Sequence, residues 1–432
     1  MSKCLIQKYL ASYIRPETRE VLERLMNIKD RWKKVLVIPC KNEGLDFVNF
    51  LKEIIHKNAD LLIVVVINAN SQDRSECQKA NECLAQTIKS LWTFEGLTQS
   101  ESLSKNILLI ERGSGDFLFP SKQGVGLARR IGSDIALFLI TNRQIELPWI
   151  WTTDTDAKLP NDYFQCLEGI SSEFSAATYP FVHLQGELNA SNYRALKEYE
   201  NFLHYYVKGL RFSGSPYAYH SIGSCLAIRA EAYAKVRGFP LKQAGEDFYV
   251  LNKLAKVGKI LKVNSSPIQL SGRLSDRTPF GTGPSTIEIS NNHLQGKSYL
   301  VYNPRCFQIL RDLLIFFETW SNMPEAKPHP HLPPKLFDYF LKVGGFEQLA
   351  SLETRARRAS DRLRRLHEWF DAFQSLKLVH YFSANHYAKI PLKDALEDLE
   401  KAARFSGHET RRSQSRIGVY TESGQPQICG ES

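Results

Sequence analysis

The sequence predicts an α/β protein, a mostly parallel mixed sheet flanked by helices and followed by a helical C-terminal extension. Three observations lead there. Short apolar runs recur at residues 35–38, 61–67 and 107–110, with the length and β-branched content of strands buried on both faces. Longer segments between them carry apolar residues at spacings of three and four, the period of an amphipathic helix. A proline-dense stretch, residues 324–334, then separates this alternating region from a purely helical pattern.

The elements follow in order. Residues 1–33 read as a helical segment. Pro16 suits a first helical position, and Val21, Leu22, Leu25 and Ile28 make one apolar face. Residues 34–300 form the main domain. Its first strand ends at Pro39 and turns through Lys41, Asn42, Glu43 and Gly44 into a helix marked by Phe47, Phe50, Leu51, Ile54 and Ile55. Further strand and helix patterns follow, up to a helix over 125–140 and a strand that starts at Trp149. Residues 301–405 are a helical extension, and residues 406–432 a polar, disordered tail. In the extension, Leu349, Leu352, Ala356, Ala359, Leu363, Leu366, Phe370 and Phe373 form one heptad-like stripe. It reads as a helix docked by that stripe. Arg355, Arg357, Arg358, Arg362, Arg364 and Arg365 then make a solvated basic face.

Bulk composition narrows the classes. At 432 residues and 43% hydrophobic, the chain can bury a sizeable core. No basic stretch leads into an apolar run at the start, and the 61–67 run is too short to cross a bilayer. The expected location is therefore cytoplasmic, with peripheral membrane contact left open. None of the eight cysteines forms a C-x-x-C pair, so neither a zinc site nor a disulfide framework is indicated. A net charge of +10 suits nucleic acid, an acidic membrane or an anionic substrate, and does not choose among them.

Chemistry concentrates where strands end. In an open α/β sheet, ligands bind beyond the carboxyl ends of the strands. Asp154 and Asp156 stand two apart after the Trp149 strand. Alternate residues of an extended chain point to one side, so both carboxylates can face one ion. Oxygen ligands suit Mg2+ or Mn2+, which commonly bridge carboxylates to substrate phosphates. A solvated strand-end turn is the plain alternative. Glu246 and Asp247 open a second helical run. They read as helix-end acids or, with Asp247 leading, as a general base for a hydroxyl. Lys122 and Arg129 flank a predicted helix start, and Arg273 and Arg277 lie in a glycine-containing loop running to Gly283. Such cations can neutralise a diphosphate. The same loop is a candidate lid. Rival motifs fail: Gly296-Lys297-Ser298 lacks the upstream P-loop glycine, Gly124-x-Gly126 runs into Arg129, and no G-x-S-x-G elbow occurs.

Together these segments resemble the family 2 glycosyltransferases. Pro39-x-Lys41-Asn42-Glu43 resembles the family's first strand-end motif, and Asn68 to Asp73 its second. Asp154-Thr155-Asp156 resembles the metal-binding D-x-D, and Glu246-Asp247 the E-D pair. The match spans residues 34–285. It implies a GT-A (Rossmann-like) fold and a nucleotide-diphospho-sugar donor. The implied reaction is a hexosyltransferase-type transfer to a hydroxyl of a small molecule, glycan or lipid, with inversion and without nucleic acid. By position, Pro39, Asn42, Glu43, Asn68, Ser71 and Asp73 would line the nucleotide pocket. Asp154 would approach ribose and metal, Asp156 would hold Mn2+ or Mg2+, and Asp247 would be the base with Glu246 beside it. Two departures matter. Asn68 stands where the family often has Asp, which leaves the donor nucleotide open. The Q-x-x-R-W motif of processive synthases is missing, which points to single transfers. The alternatives are a retaining transferase on the same fold and a non-catalytic membrane- or RNA-binding protein. A nucleotidyltransferase is a weaker one, since no glycine-rich phosphate loop follows the first strand.

Overall fold

The structure is a computed structural model. It describes residues 2–242, 244–273, 281–323 and 332–414. Helices α1 (Ser2–Ser12) and α2 (Pro16–Leu25) lead into β1 (Lys34–Cys40), α3 (Leu45–Lys57), β2 (Leu61–Asn68) and α4 (Ser75–Leu91). The short strands β3 (Glu95–Gly96) and β4 (Glu101–Leu103) precede β5 (Ile107–Arg112), α5 (Val125–Thr141), β6 (Trp149–Thr152) and β7 (Ala157–Lys158). Then come β8 (Phe174–Thr178), β9 (Phe181–His183), α6 (Ala190–Phe212), β10 (Leu226–Arg229), α7 (Ala230–Lys235) and α8 (Glu246–Leu254). Strands β11 (Lys259–Lys262) and β12 (Ile268–Leu270) and helix α9 (Thr282–Leu294) complete the main domain.

The expected α/β architecture is what the chain adopts. Nine strands form one mixed sheet in the order β11-β8-β10-β6-β1-β2-β5-β4-β3. Its centre, β6-β1-β2-β5, is parallel. Alternate residues of the central strands feed opposite faces. Val35, Val37, Val64 and Val66 pack under α5 and the N-terminal helices, whereas Leu36, Ile38, Ile63 and Val65 pack under α3 and α4. Both faces are covered, which is why these runs are apolar without alternation. The strand order reverses between β1 and β6, and the crevice opens there. Antiparallel β10 next to β6 was not read from the sequence, because four residues carry too little pattern. A second sheet, β7-β12-β9, is built from strands of two or three residues.

Helix α10 (Pro304–Asn322) organises a third core, joined by α11 (Pro334–Lys342), α12 (Gly345–Arg355), α13 (Ala359–Trp369), α14 (Ala372–Asn385) and α15 (Leu392–Gln414). Pro333 N-caps α11 and Pro334 is its first residue. The remaining prolines of that stretch lie outside the described residues. The heptad stripe is corrected here. Its residues belong to three helices rather than one, although Leu349, Leu352, Ala356, Leu366 and Phe370 do share the third core. The first break is at extended Ala356. The second follows Phe370, where the Asp371 carboxylate accepts from the amides of Phe373 and Gln374 and starts a new helix. The solvated basic face is corrected at one position. Arg362 is buried and donates to the carbonyls of Ser321, Ala356 and Arg357, closing the first break. Helix α15 carries regular structure past residue 406, where a tail was expected. Residues 415–432 lie outside the described residues.

Candidate active site

A cleft of about 610 Å³ opens at the carboxyl ends of β1, β2 and β6. Pro39 at the end of β1 and Lys41 and Glu43 after it enter the cleft, as do Asn68 at the end of β2, Asn70 after it, and Asp154 and Asp156 after β6. The start of α8 adds Glu246 and Asp247 to the lining, and Arg273 follows β12. Sequence-distant carboxylate pairs thus meet in one place.

The link between them is Arg129. It lies one turn into α5, is 4% exposed, and bonds Asp154 Oδ1 at 2.5 Å with one nitrogen and Glu246 Oε1 with the other. Burial works against its charge, but Asp154, Glu246 and Asp247 outweigh burial and hold its pKa above the ordinary value. Arg129, expected from the sequence to neutralise a diphosphate, lines the cleft and ties the two acidic motifs together. Gly223 lets it sit there, since a Cβ at that position would lie 2.5 Å from the guanidinium. Gly126, one turn earlier on α5, lets the helix approach the carbonyls of Pro240 and Lys242, just before Glu246.

Asp247 lines the cleft and accepts from the Phe248 amide at 2.7 Å. Burial, then the neighbouring Glu246 charge, push its pKa well above the carboxylate range, with Arg129 opposing them. Asp156 is pushed up to about 6, mostly by burial, with Arg273 opposing and Asp154 and Glu43 adding to the rise. Arg273 grips Glu43 with two nitrogens, at 2.9 and 3.1 Å, and reaches Asp156 Oδ2 with Nε at 3.0 Å. The first motif and the D-x-D are therefore bridged by one guanidinium.

The other expected residues divide. Asn68 lines the cleft, but its amide nitrogen donates to the carbonyls of Cys40 and Val66 and braces β2 against β1. Asp73 sits behind the rim, bonding Lys41 Nζ at 2.6 Å and the Asn70 amide at 2.8 Å. Asn42 takes a left-handed conformation (φ 53°) that turns the chain out of β1, with its amide held by Asn81. Ser71 and the exposed Lys122 do not line the cleft, whereas Gln123 and Gly124 next to Lys122 do. Arg277 lies outside the described residues, as do residues 274–280 of the candidate lid. Tyr199 also lines the cleft, and His183 and Leu203 do so unforeseen.

The donor set fits a divalent cation shared with a substrate. Asp154 and Asp156 flank Thr155 on one cleft wall. Among the described residues, no group of three or more His, Cys, Asp and Glu side chains forms a closed metal cage. Two carboxylates plus phosphate oxygens and water suit Mg2+ or Mn2+, which rarely take an all-protein shell. No helix of the described residues is long and apolar enough to cross a membrane.

No protein-family model matches this sequence, and no curated protein does. Among solved structures, the chain is similar to mannosyltransferase PcManGT from Pyrobaculum calidifontis in complex with GDP-Man and Mn2+, at 14% identity over 96% of this chain and 95% of that one, with a TM-score of 0.34. It is also similar to glucosyl-3-phosphoglycerate synthase from Mycobacterium tuberculosis in complex with Mn2+, UDP and glucosyl-3-phosphoglycerate, at 13% identity over 67% of this chain and 91% of that one, with a TM-score of 0.32.

Proposed function

We propose that this protein is a metal-dependent glycosyltransferase of the GT-A type, which moves a sugar from a nucleotide diphosphate to an acceptor hydroxyl with inversion and in single transfers. The observation that carries the reading is the Arg129 bridge. It joins the D-x-D to the E-D pair in one cleft at the strand-order reversal.

Asp156 and Asp154 would hold the cation. When bound, it supplies Lewis-acid stabilisation of a departing diphosphate. The protein's own groups do the rest. Asp247 accepts the acceptor proton as the hydroxyl oxygen bonds to the anomeric carbon. The bond from that carbon to the phosphate oxygen breaks on the opposite face, and its electron pair leaves with the diphosphate. A base with a raised pKa suits this task, since proton transfer works best when the pKa lies near the working pH. Arg129 holds Glu246 in place beside Asp247, which lines the cleft. Arg273, next to both Asp156 and Glu43, is placed to meet phosphate charge.

The test is calorimetry of nucleotide diphosphates and nucleotide sugars, with and without Mn2+ or Mg2+, on the wild type and Asp156→Ala. Metal-dependent binding of one nucleotide family, lost in the variant, supports the reading and names the base. No binding of any nucleotide by a folded wild type refutes it.

A further inference from the structure

Beyond the two carboxylate pairs, the cleft is walled by α6 and the second sheet. His183 ends β9, and in register Leu270 lies between His183 and Ala157, the residue after Asp156. At about 4.8 Å per strand, His183 stands about 10 Å across that sheet from the D-x-D. It is 4% exposed, yet it lines the cleft. The buried Glu200 of α6 accepts from its backbone amide at 2.6 Å and from Nδ1 at 2.9 Å. The Nδ1-donating tautomer that this carboxylate selects carries its lone pair on Nε2. Among the described residues, no protein group bonds Nε2. Tyr199 and Leu203, on the same helix as Glu200, line the cleft beside it.

Charge decides what can lie there. Five carboxylates and three cations line the cleft among the described residues. Each cation is already bonded to carboxylate: Lys41 to Asp73, Arg129 to Asp154 and Glu246, Arg273 to Glu43 and Asp156. The imidazoles behind His183 add no positive charge. Burial holds His204 and His220 below the ordinary histidine pKa, His220 at about 4. Among the described residues, an anionic ligand beside His183 would meet the Glu200 carboxylate and no cation that is not already paired with a carboxylate. An uncharged hydroxyl would meet an acceptor nitrogen and an aromatic ring.

We infer that His183, held by Glu200, and Tyr199 form the acceptor subsite, and that the acceptor there is an uncharged glycoside or polyol whose hydroxyl donates to His183 Nε2. This rests on the glycosyltransferase reading, and its test can fail separately from that reading. Saturation-transfer NMR would be run with methyl glycosides and with 3-phosphoglycerate, each with Mg2+ and a nucleotide diphosphate, on the wild type, His183→Asn and Tyr199→Ala. Nucleotide binding is measured alongside by calorimetry. A methyl glycoside should bind the wild type, 3-phosphoglycerate should not, and each variant should bind the glycoside about tenfold more weakly, the loss of one hydrogen bond or ring contact. Nucleotide affinity should stay within about twofold, a loss too small for a disrupted cleft. Preference for the phosphorylated acid, absence of glycoside binding, or unchanged glycoside binding in both folded variants would overturn the inference. Loss of nucleotide binding by the wild type would instead sink the glycosyltransferase reading, and the glycoside signal would still decide this one.

Discussion

Replacing Arg129 with methionine removes the guanidinium that Asp154 and Glu246 share, while keeping much of the side chain's apolar length. Glu246 is 3% exposed and Asp154 39% exposed, so most of the cost falls on Glu246. Removing one partner of a buried ion pair costs about 3–5 kcal/mol. Solvent screening of Asp154 argues for the lower end, about 3 kcal/mol. With an unfolding entropy of about 2.1 cal/mol/K per residue over 432 residues, that lowers Tm by about 3 °C. The deficit should also depend on pH. Arg129 opposes the burial and the Glu246 charge that raise the Asp247 pKa, so without the guanidinium the folded Asp247 value rises further above the unfolded one. A carboxylate with a raised folded pKa binds more protons in the native state. Its stability contribution therefore falls as pH rises through the window between the two values. The Tm difference from the wild type should be largest at about pH 8 and shrink towards about pH 5. Differential scanning calorimetry at both values is the assay. A variant as stable as the wild type at the higher pH, or one with an equal deficit at both, would refute the bridge.

Three further outcomes follow from the same geometry. Asp247→Asn should keep nucleotide binding but lower transfer by about 10²–10⁴-fold. Because burial raises the Asp247 pKa, the wild-type kcat/KM should fall as pH drops, starting above the usual carboxylate range. Initial rates across pH read both effects, and full transfer activity in the variant would remove Asp247 as the base. Gly126→Ala would put a Cβ 2.6 Å from the Lys242 carbonyl oxygen and 2.8 Å from that of Pro240. Neither atom belongs to a flexible side chain, so the variant should lose about 1–3 kcal/mol in urea unfolding. An unchanged midpoint would contradict that packing. Arg362→Met should strand the carbonyls of Ser321, Ala356 and Arg357, at about 1–3 kcal/mol for a buried polar group left without a partner. Limited proteolysis should then cut between α12 and α13 sooner than in the wild type.

The legible parts of this protein were those where one rule acts over many residues. Strands β1 and β2 stand out because seven and eight consecutive residues are buried, on two covered faces. Helix α2 was marked by Pro16 and by a single apolar face. The acidic pairs could be found because each is local in sequence. What joins them is not local: Arg129 meets partners 25 and 117 positions away, and its spacing from the helix start fits a phosphate ligand equally well. The short β7, β9, β10 and β12 have no periodicity to read, so His183 lay in a segment with no assignable face. Glu200 has no mark of its own in the sequence, and only the tertiary fold turns it inward. The stripe from Leu349 to Phe373 misled for the opposite reason. Apolar spacing survives a chain break when both pieces face the same core, and the cues for the breaks were the cap at Asp371 and the buried Arg362.

Helix α8 presents Glu246 and Asp247 at its first turn, and its other end is fastened elsewhere. Asn252 donates to Asp371 Oδ2 at 2.9 Å and accepts from the Ala372 amide at 3.0 Å, and Lys256, just past the helix, bonds the same carboxylate at 2.5 Å. The residue that starts α14 is thus also the anchor of the helix that bears Glu246 and Asp247. Helix α6 behaves likewise, with Tyr199 at the cleft and Tyr205 and Leu210 in the third core. Regions that share anchors open together, so amide protons in the first turn of α14 belong to the same exchange unit as the cleft wall. The C-terminal helices therefore act as the foundation of the cleft wall, and removing them would unseat side chains that lie outside their own sequence.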